Sequence, residues 1–118
     1  MHGSTIKEQR AGYIYSLEVA LDQIVHRLSE MPKVERVILF GSYAAGRRDL
    51  FTDLDLIVVI ETNLDYINRS VWLYQMLQTD VDLDMIIYTP DEFQQLQDSN
   101  FLKHVLKTAK VVYERPSN

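Results

Sequence analysis

Between Tyr13 and Met31 the apolar residues Ile14, Leu17, Leu21, Ile24 and Leu28 recur three and four positions apart, with Glu18, Asp22 and Arg27 between them. That spacing lines the apolar side chains along one stripe and predicts an amphipathic helix over about 13–31, ended by Pro32. The period then changes. Val34 to Phe40 is short, β-branched and stopped by Gly41, which predicts a mostly buried strand. Asp55 to Ile60 is nearly continuous in apolar residues, as expected of a strand covered on both faces. Helical spacing returns from Leu64 to Gln78 through Ile67, Val71, Tyr74 and Leu77, and Val81 to Tyr88 reads as a third strand. Thr89-Pro90-Asp91-Glu92 offers a cap residue, a proline at the first helical position and a glutamate placed for a capping box. The helix it starts continues through Phe93 and Leu96. A further helix is expected over Phe101 to Ala109, and Val111-Val112-Tyr113 closes the chain as a short strand. Helix, strand, strand, helix, strand, helices, strand is the order of a small α/β or α+β sandwich.

Composition narrows the classes. A chain of 118 residues is expected to form one domain over 1–118, without room for a second, substrate-binding one. With 47 % hydrophobic residues it can bury a core without staples. The absence of cysteine excludes a disulfide framework, a thiolate zinc site and a cysteine nucleophile. The net charge of −5, with acidic residues gathered in 49–65 and 80–98, disfavours a duplex-DNA binder, which presents a basic face. It suits a chain that concentrates carboxylates around metal ions. Met1 to Arg10 lacks the apolar centre of a signal peptide, and no apolar run approaches the roughly 20 residues of a membrane helix. A soluble, cytoplasmic protein is the expectation.

The chemistry gathers in Gly41 to Val59, GSYAAGRRDLFTDLDLIVV. A glycine at the end of a buried strand lets the backbone turn sharply and approach a ligand, while Ser42 offers a hydroxyl suited to capping the next helix. N–H groups at such a helix start favour phosphate, and Gly46, Arg47 and Arg48 add flexibility and positive charge. Asp53-Leu54-Asp55 follows. On a strand the two carboxylates share a face while Leu54 turns into the core. Like charges so close repel unless a cation sits between them, and hard oxygen ligands of this kind suit magnesium. Asp82 and Asp84 share a face of the next strand by the same parity, and Asp84, deeper in the strand, is the stronger candidate for a third carboxylate. Three carboxylates beside a phosphate-binding turn would hold two divalent ions for in-line displacement at phosphorus.

These residues resemble the minimal nucleotidyltransferase branch of the polymerase-β-type nucleotidyltransferase superfamily. Its pattern is Gly-Ser, ten residues, then Asp-x-Asp, and Gly41, Ser42, Asp53 and Asp55 match it without a gap. Ala44 and Gly46 fit the branch's turn, Asp84 stands at its third carboxylate, and the similarity runs over about 34–114. The resemblance implies a small mixed β-sheet with helices chiefly on one face. Asp53, Asp55 and Asp84 would then be catalytic residues and ligands of two Mg2+ ions, with Asp84 a candidate general base. Gly41, Ser42, Gly46, Arg47 and Arg48 would bind the nucleotide. The implied reaction moves a nucleoside monophosphate, AMP from ATP, onto a partner protein. The implied role is antitoxin to a HEPN-type RNase toxin, and homo- or hetero-oligomers both fit it. Thr52 replaces the usual serine before the first aspartate, and Tyr43 and Ala45 stand where the branch often carries arginine.

The alternative is a non-catalytic antitoxin that neutralises its HEPN partner by contact, with Tyr13, Tyr15, Tyr66, Trp72 and Tyr74 as candidate anchors. Tyr74 is expected in the core instead. An aminoglycoside-modifying or tRNA-end-adding enzyme is disfavoured because such enzymes carry further domains. His2, His26 and His104 have no metal-ligand spacing, and Lys7, Lys33, Lys103, Lys107 and Lys110 read as solvated.

Overall fold

The computed structural model describes residues 5–117, so His2 and the first residues of the N-terminal lead lie outside the described residues. The elements are α1 (Ile6–Ser29), β1 (Val34–Phe40), α2 (Gly41–Ala44), β2 (Leu54–Ile60), α3 (Tyr66–Met76), β3 (Leu83–Tyr88), α4 (Pro90–Gln95), α5 (Asn100–Val105) and β4 (Lys110–Glu114). The four strands form one mixed sheet in the order β3-β2-β1-β4, with β1 antiparallel to β2 and β4, and β2 parallel to β3. Helix α3 is therefore the crossover that a parallel pair requires.

Strand β2 sits inside the sheet, and every residue from Leu56 to Ile60 is buried. The pleat divides them. Leu54, Leu56, Val58 and Ile60 join Leu17, Ile24 and Leu28 of α1 and Leu73 of α3 in the larger cluster. Ile57 and Val59 face the other way, against Phe93 of α4 and Leu102 and Val105 of α5. The two long helices thus cover one face broadly, and two short ones close the other. Among the described residues no helix is long and apolar enough to cross a membrane.

Two helix ends and one helix face differ from expectation. Helix α1 starts seven residues before Tyr13, because Thr5 Oγ1 caps it by accepting the Glu8 N–H at 3.1 Å. Its first two turns are exposed throughout, so no apolar period marks them. Helix α5 stops at Val105 rather than Ala109, since the chain must turn back to begin β4 at Lys110. In α3 the period is right and the phase is wrong. Ile67 and Val71 are 72 % and 51 % exposed, and Tyr74 is also exposed, while the buried line is Arg69, Leu73 and Leu77.

Arg69 explains the shift. Its guanidinium donates to Glu92 Oε1 at 2.5 Å and Oε2 at 3.3 Å, and to the carbonyls of Leu64 and Ile87 at 3.1 and 3.3 Å. A charge so fully partnered can occupy a core position. Glu92 is held below the usual carboxylate range, chiefly by that guanidinium, while closing the expected capping box with Thr89. Tyr74 reaches the sheet only through its hydroxyl, which accepts the Met85 N–H of edge strand β3 at 2.6 Å.

Candidate functional site

The Asp-x-Asp segment meets the Gly-Ser turn where β1 ends and β2 begins. Phe40, the last residue of β1, pairs with Asp55, and Asp55 pairs on its other side with Asp84 of β3. Asp53 lies one residue before β2, so only Asp55 of the pair belongs to the strand. Leu54 between them is fully buried, as the alternation requires. Asp53, Asp55 and Asp84 each offer a carboxylate oxygen, and the three lie within 4.8 Å of one another. Asp84 is exposed on the edge strand, while Asp53 and Asp55 are half-buried. Asp82 does not join them. Strand β3 starts at Leu83 rather than Val81, so the parity that would align Asp82 with Asp84 does not extend to it. Its carbonyl instead accepts the Leu54 N–H at 3.0 Å.

Burial, together with the negative charges of Asp53 and Asp84, pushes the Asp55 carboxyl from its ordinary 3.8 up to about 6. A cation held among the three carboxylates would relieve that repulsion on Asp55. Oxygen donors alone, close enough to share an ion, fit a hard divalent metal such as Mg2+. Gly41 makes the convergence possible. Its φ is +75°, and a Cβ there would sit 3.0 Å from Asp55 Cγ and overlap its carboxylate oxygen. Glycine is thus required twice over, by backbone conformation and by space.

The turn departs from expectation in its details. Helix α2 has only four residues, Phe40 holds the N-cap position, and no side chain caps it, so Ser42 is half-buried but not a cap. A helix this short leaves its first-turn N–H groups without intrahelical acceptors, which keeps them available to an anion. Arg48 lies 3.6 Å above the Tyr43 ring and donates to the carbonyls of Tyr43 and Arg47, both at 2.8 Å. It braces the turn. Arg47 pairs with Asp49 at 2.8 Å near the surface. Gly46, at φ +98°, has open space around its Cα.

Two contributions to the site, one from a pair of residues and one from a single tyrosine, escaped the sequence reading. Asp49 and Thr52 close the loop ahead of Asp53. The Thr52 hydroxyl accepts the Asp49 N–H at 3.0 Å and donates to Asp49 Oδ1 at 3.1 Å, and Thr52 is 1 % exposed. The Asp-x-x-Thr spacing was a visible signal for such a turn. The other is Tyr13 of α1, whose hydroxyl donates to the Thr52 carbonyl at 2.7 Å. No local pattern marks a tyrosine that reaches across 39 residues of sequence. The remaining aromatics considered as anchors, Tyr15, Tyr66, Trp72 and Tyr74, are exposed, and His26 is occupied by Glu30 at 2.5 Å.

Residues 22–118 match the family described as Polymerase beta, Nucleotidyltransferase. A protein of Methanocaldococcus jannaschii, named putative protein adenylyltransferase MJ0604, is 26 % identical over 98 residues, covering 81 % of this chain and 97 % of its own. Among solved structures, a nucleotidyltransferase from Sulfolobus solfataricus named as putative shares the fold with a TM-score of 0.63 at 19 % identity, over 98 % of this chain and 93 % of that one. A chain of a mutant toxin–antitoxin complex, MntA–HpeT, aligns with a TM-score of 0.51 at 25 % identity, over 82 % and 72 % of the two chains. Motif, sheet topology and family match agree: the chain belongs to the polymerase β nucleotidyltransferase family, and its reaction class is nucleotidyl transfer.

Proposed function

We propose that this protein transfers AMP from ATP onto a hydroxyl of a partner protein, and that the partner is a HEPN-type RNase toxin which it neutralises. The observation that carries the reading is the convergence of Asp53, Asp55 and Asp84 beside a glycine that leaves their space open. Support for a protein acceptor comes from the adenylyltransferase name of the M. jannaschii relative, and support for a toxin from the MntA–HpeT likeness.

In this reading Asp53, Asp55 and Asp84 hold two Mg2+ ions, which when bound neutralise the triphosphate and acidify the attacking hydroxyl. The first-turn N–H groups at Gly41 and Ser42 receive phosphate oxygens, and Gly46 leaves room for the nucleotide. Arg47, paired with Asp49 at the surface, would turn to the nucleotide's phosphates, while Arg48 keeps the turn in shape. The acceptor oxygen forms a bond to the α-phosphorus, the bond from that phosphorus to the bridging oxygen breaks, and pyrophosphate leaves. Asp84, exposed on the edge strand, is the carboxylate best placed to take the acceptor's proton.

A contact-only antitoxin is the second reading, favoured by the exposed apolar side chains Ile67, Val71 and Trp72 on α3. Labelled ATP, Mg2+ and the product of the adjacent gene separate the two. Covalent labelling of that protein, abolished by Asp53→Ala with Asp55→Ala, is the expected result. A tight, neutralising complex without labelling would overturn the catalytic reading in favour of contact alone.

A further inference from the structure

We propose that Tyr13 is a positioning residue of the carboxylate site, its hydroxyl tying the segment ahead of β2 to helix α1 and so setting where Asp53 stands against Asp55 and Asp84. This rests on the reading of those carboxylates as metal ligands. The two parallel strands carry the site between them, Asp53 and Asp55 on one and Asp84 on the other, and their relative placement fixes the gap. At that end the ladder is thin. Asp53 lies before β2, Asp82 before β3, and the last direct link is the Leu54 N–H to the Asp82 carbonyl at 3.0 Å.

Tyr13 supplies the missing tie. Its hydroxyl donates to the Thr52 carbonyl at 2.7 Å, one residue ahead of Asp53. One phenol thus fixes the residue that precedes the first carboxylate. Its surroundings keep it protonated and able to donate: burial, with the charges of Asp82 and Asp53, raises its pKa above the ordinary 10.0. The carbonyl it holds belongs to Thr52, which is itself locked to Asp49 through its hydroxyl, so the tether acts on a rigid loop rather than a loose one. Tyr13 also lies outside the family match over 22–118, so helix α1 contributes a part that the shared motif does not contain. Groups that orient metal ligands without touching the ion typically change affinity or activity by about 10–100-fold when removed.

A second tyrosine gives the control. Tyr113 also donates its hydroxyl to α1, at the Ser29 carbonyl 3.5 Å away, but at the other end of the helix from the carboxylates. Mn2+ binding to the full chain, followed by electron paramagnetic resonance, should weaken about tenfold in Tyr13→Phe and stay within twofold of the native value in Tyr113→Phe. Amide exchange, read without metal, should speed up at Thr52 and Leu54 in Tyr13→Phe and remain unchanged along the β1–β4 pairing. Equal weakening in both variants would reduce Tyr13 to a helix-docking residue and overturn the proposal. So would unchanged exchange at Thr52 and Leu54. If the native chain binds no Mn2+, the metal reading itself fails, and exchange alone then decides whether Tyr13 fixes the segment ahead of β2.

Discussion

Replacing Asp55 by asparagine is expected to stabilise the metal-free protein at neutral pH while abolishing nucleotidyl transfer. Asp55 is half-buried between Asp53 and Asp84, and its carboxyl is pushed from 3.8 to about 6. At about 1.36 kcal/mol per pH unit the full displacement corresponds to about 3 kcal/mol, and solvent reaching a half-buried group leaves about 1–2 kcal/mol of that. The sign follows from proton binding. The folded state holds this proton more tightly than the unfolded one, so the stability it contributes is fully present below about pH 3.8 and is lost as pH rises through about 6. Asparagine keeps the shape and never ionises. In EDTA at pH 7.5 the variant should therefore unfold about 4–8 °C above the native protein, and at pH 4 the difference should vanish. Mg2+ should raise the melting temperature of the native protein and leave the variant nearly unmoved. Thermal and urea unfolding across pH 4–8, with and without Mg2+, measure all of this. A variant no more stable than the native protein at pH 7.5 in EDTA, or a difference that does not change with pH, would refute the electrostatic account.

Gly41→Ala should destabilise the fold by about 2–3 kcal/mol in urea unfolding, through its positive φ and its overlap with Asp55, whereas Gly46→Ala, with open space, should cost only about 1 kcal/mol. Equal effects would mean that backbone conformation alone matters. Arg69→Leu should destabilise by about 3 kcal/mol because it strands Glu92 and two carbonyls. Since Glu92 titrates below its ordinary 4.5, that deficit should be full above that pH and shrink as acid protonates the carboxyl; a constant deficit would sink the pairing. Arg48→Lys should lower stability by about 1 kcal/mol, since an ammonium cannot both stack on Tyr43 and reach two carbonyls; no change in the urea midpoint would assign the turn's shape to the backbone alone.

The strands were legible because burial dictates them. Val34 to Phe40 coincides with β1, and the continuous apolar run of β2 reports two covered faces that the sheet indeed has. The cap at Thr89 was equally clear, since its partner lies three residues away. What failed was whatever depends on contacts distant in sequence. The face of α3 cannot be phased without knowing that Glu92 neutralises Arg69, and the two lie 23 positions apart. Hydrophobicity alone then prefers the wrong stripe. The start of α1 escaped for the opposite reason: its first turns bury nothing, and only the Thr5 cap marks them. In the site, spacing located Asp53, Asp55 and Asp84, but whether Arg48 faces a phosphate or its own turn is a matter of side-chain direction, which no spacing encodes.

Where local rules are broken bears on the choice between catalysis and contact alone. Nearly everywhere the chain obeys them: capped helices, alternating burial and, among the described residues, no buried side-chain polar atom without a partner. The exceptions cluster at one place. Three carboxylates converge across a gap that only a glycine at φ +75° leaves open, and burial together with the charges of Asp53 and Asp84 raises the Asp55 carboxyl to about 6. Natural proteins tolerate such losses of stability chiefly at functional sites. A chain that acted only through an exposed surface such as that of α3 would fold better with a neutral residue at position 55 and would lose nothing in binding. The strain therefore supports the catalytic reading over the contact one. The same Asp55→Asn protein tests that inference: it should bind the partner as tightly as the native chain while failing to modify it.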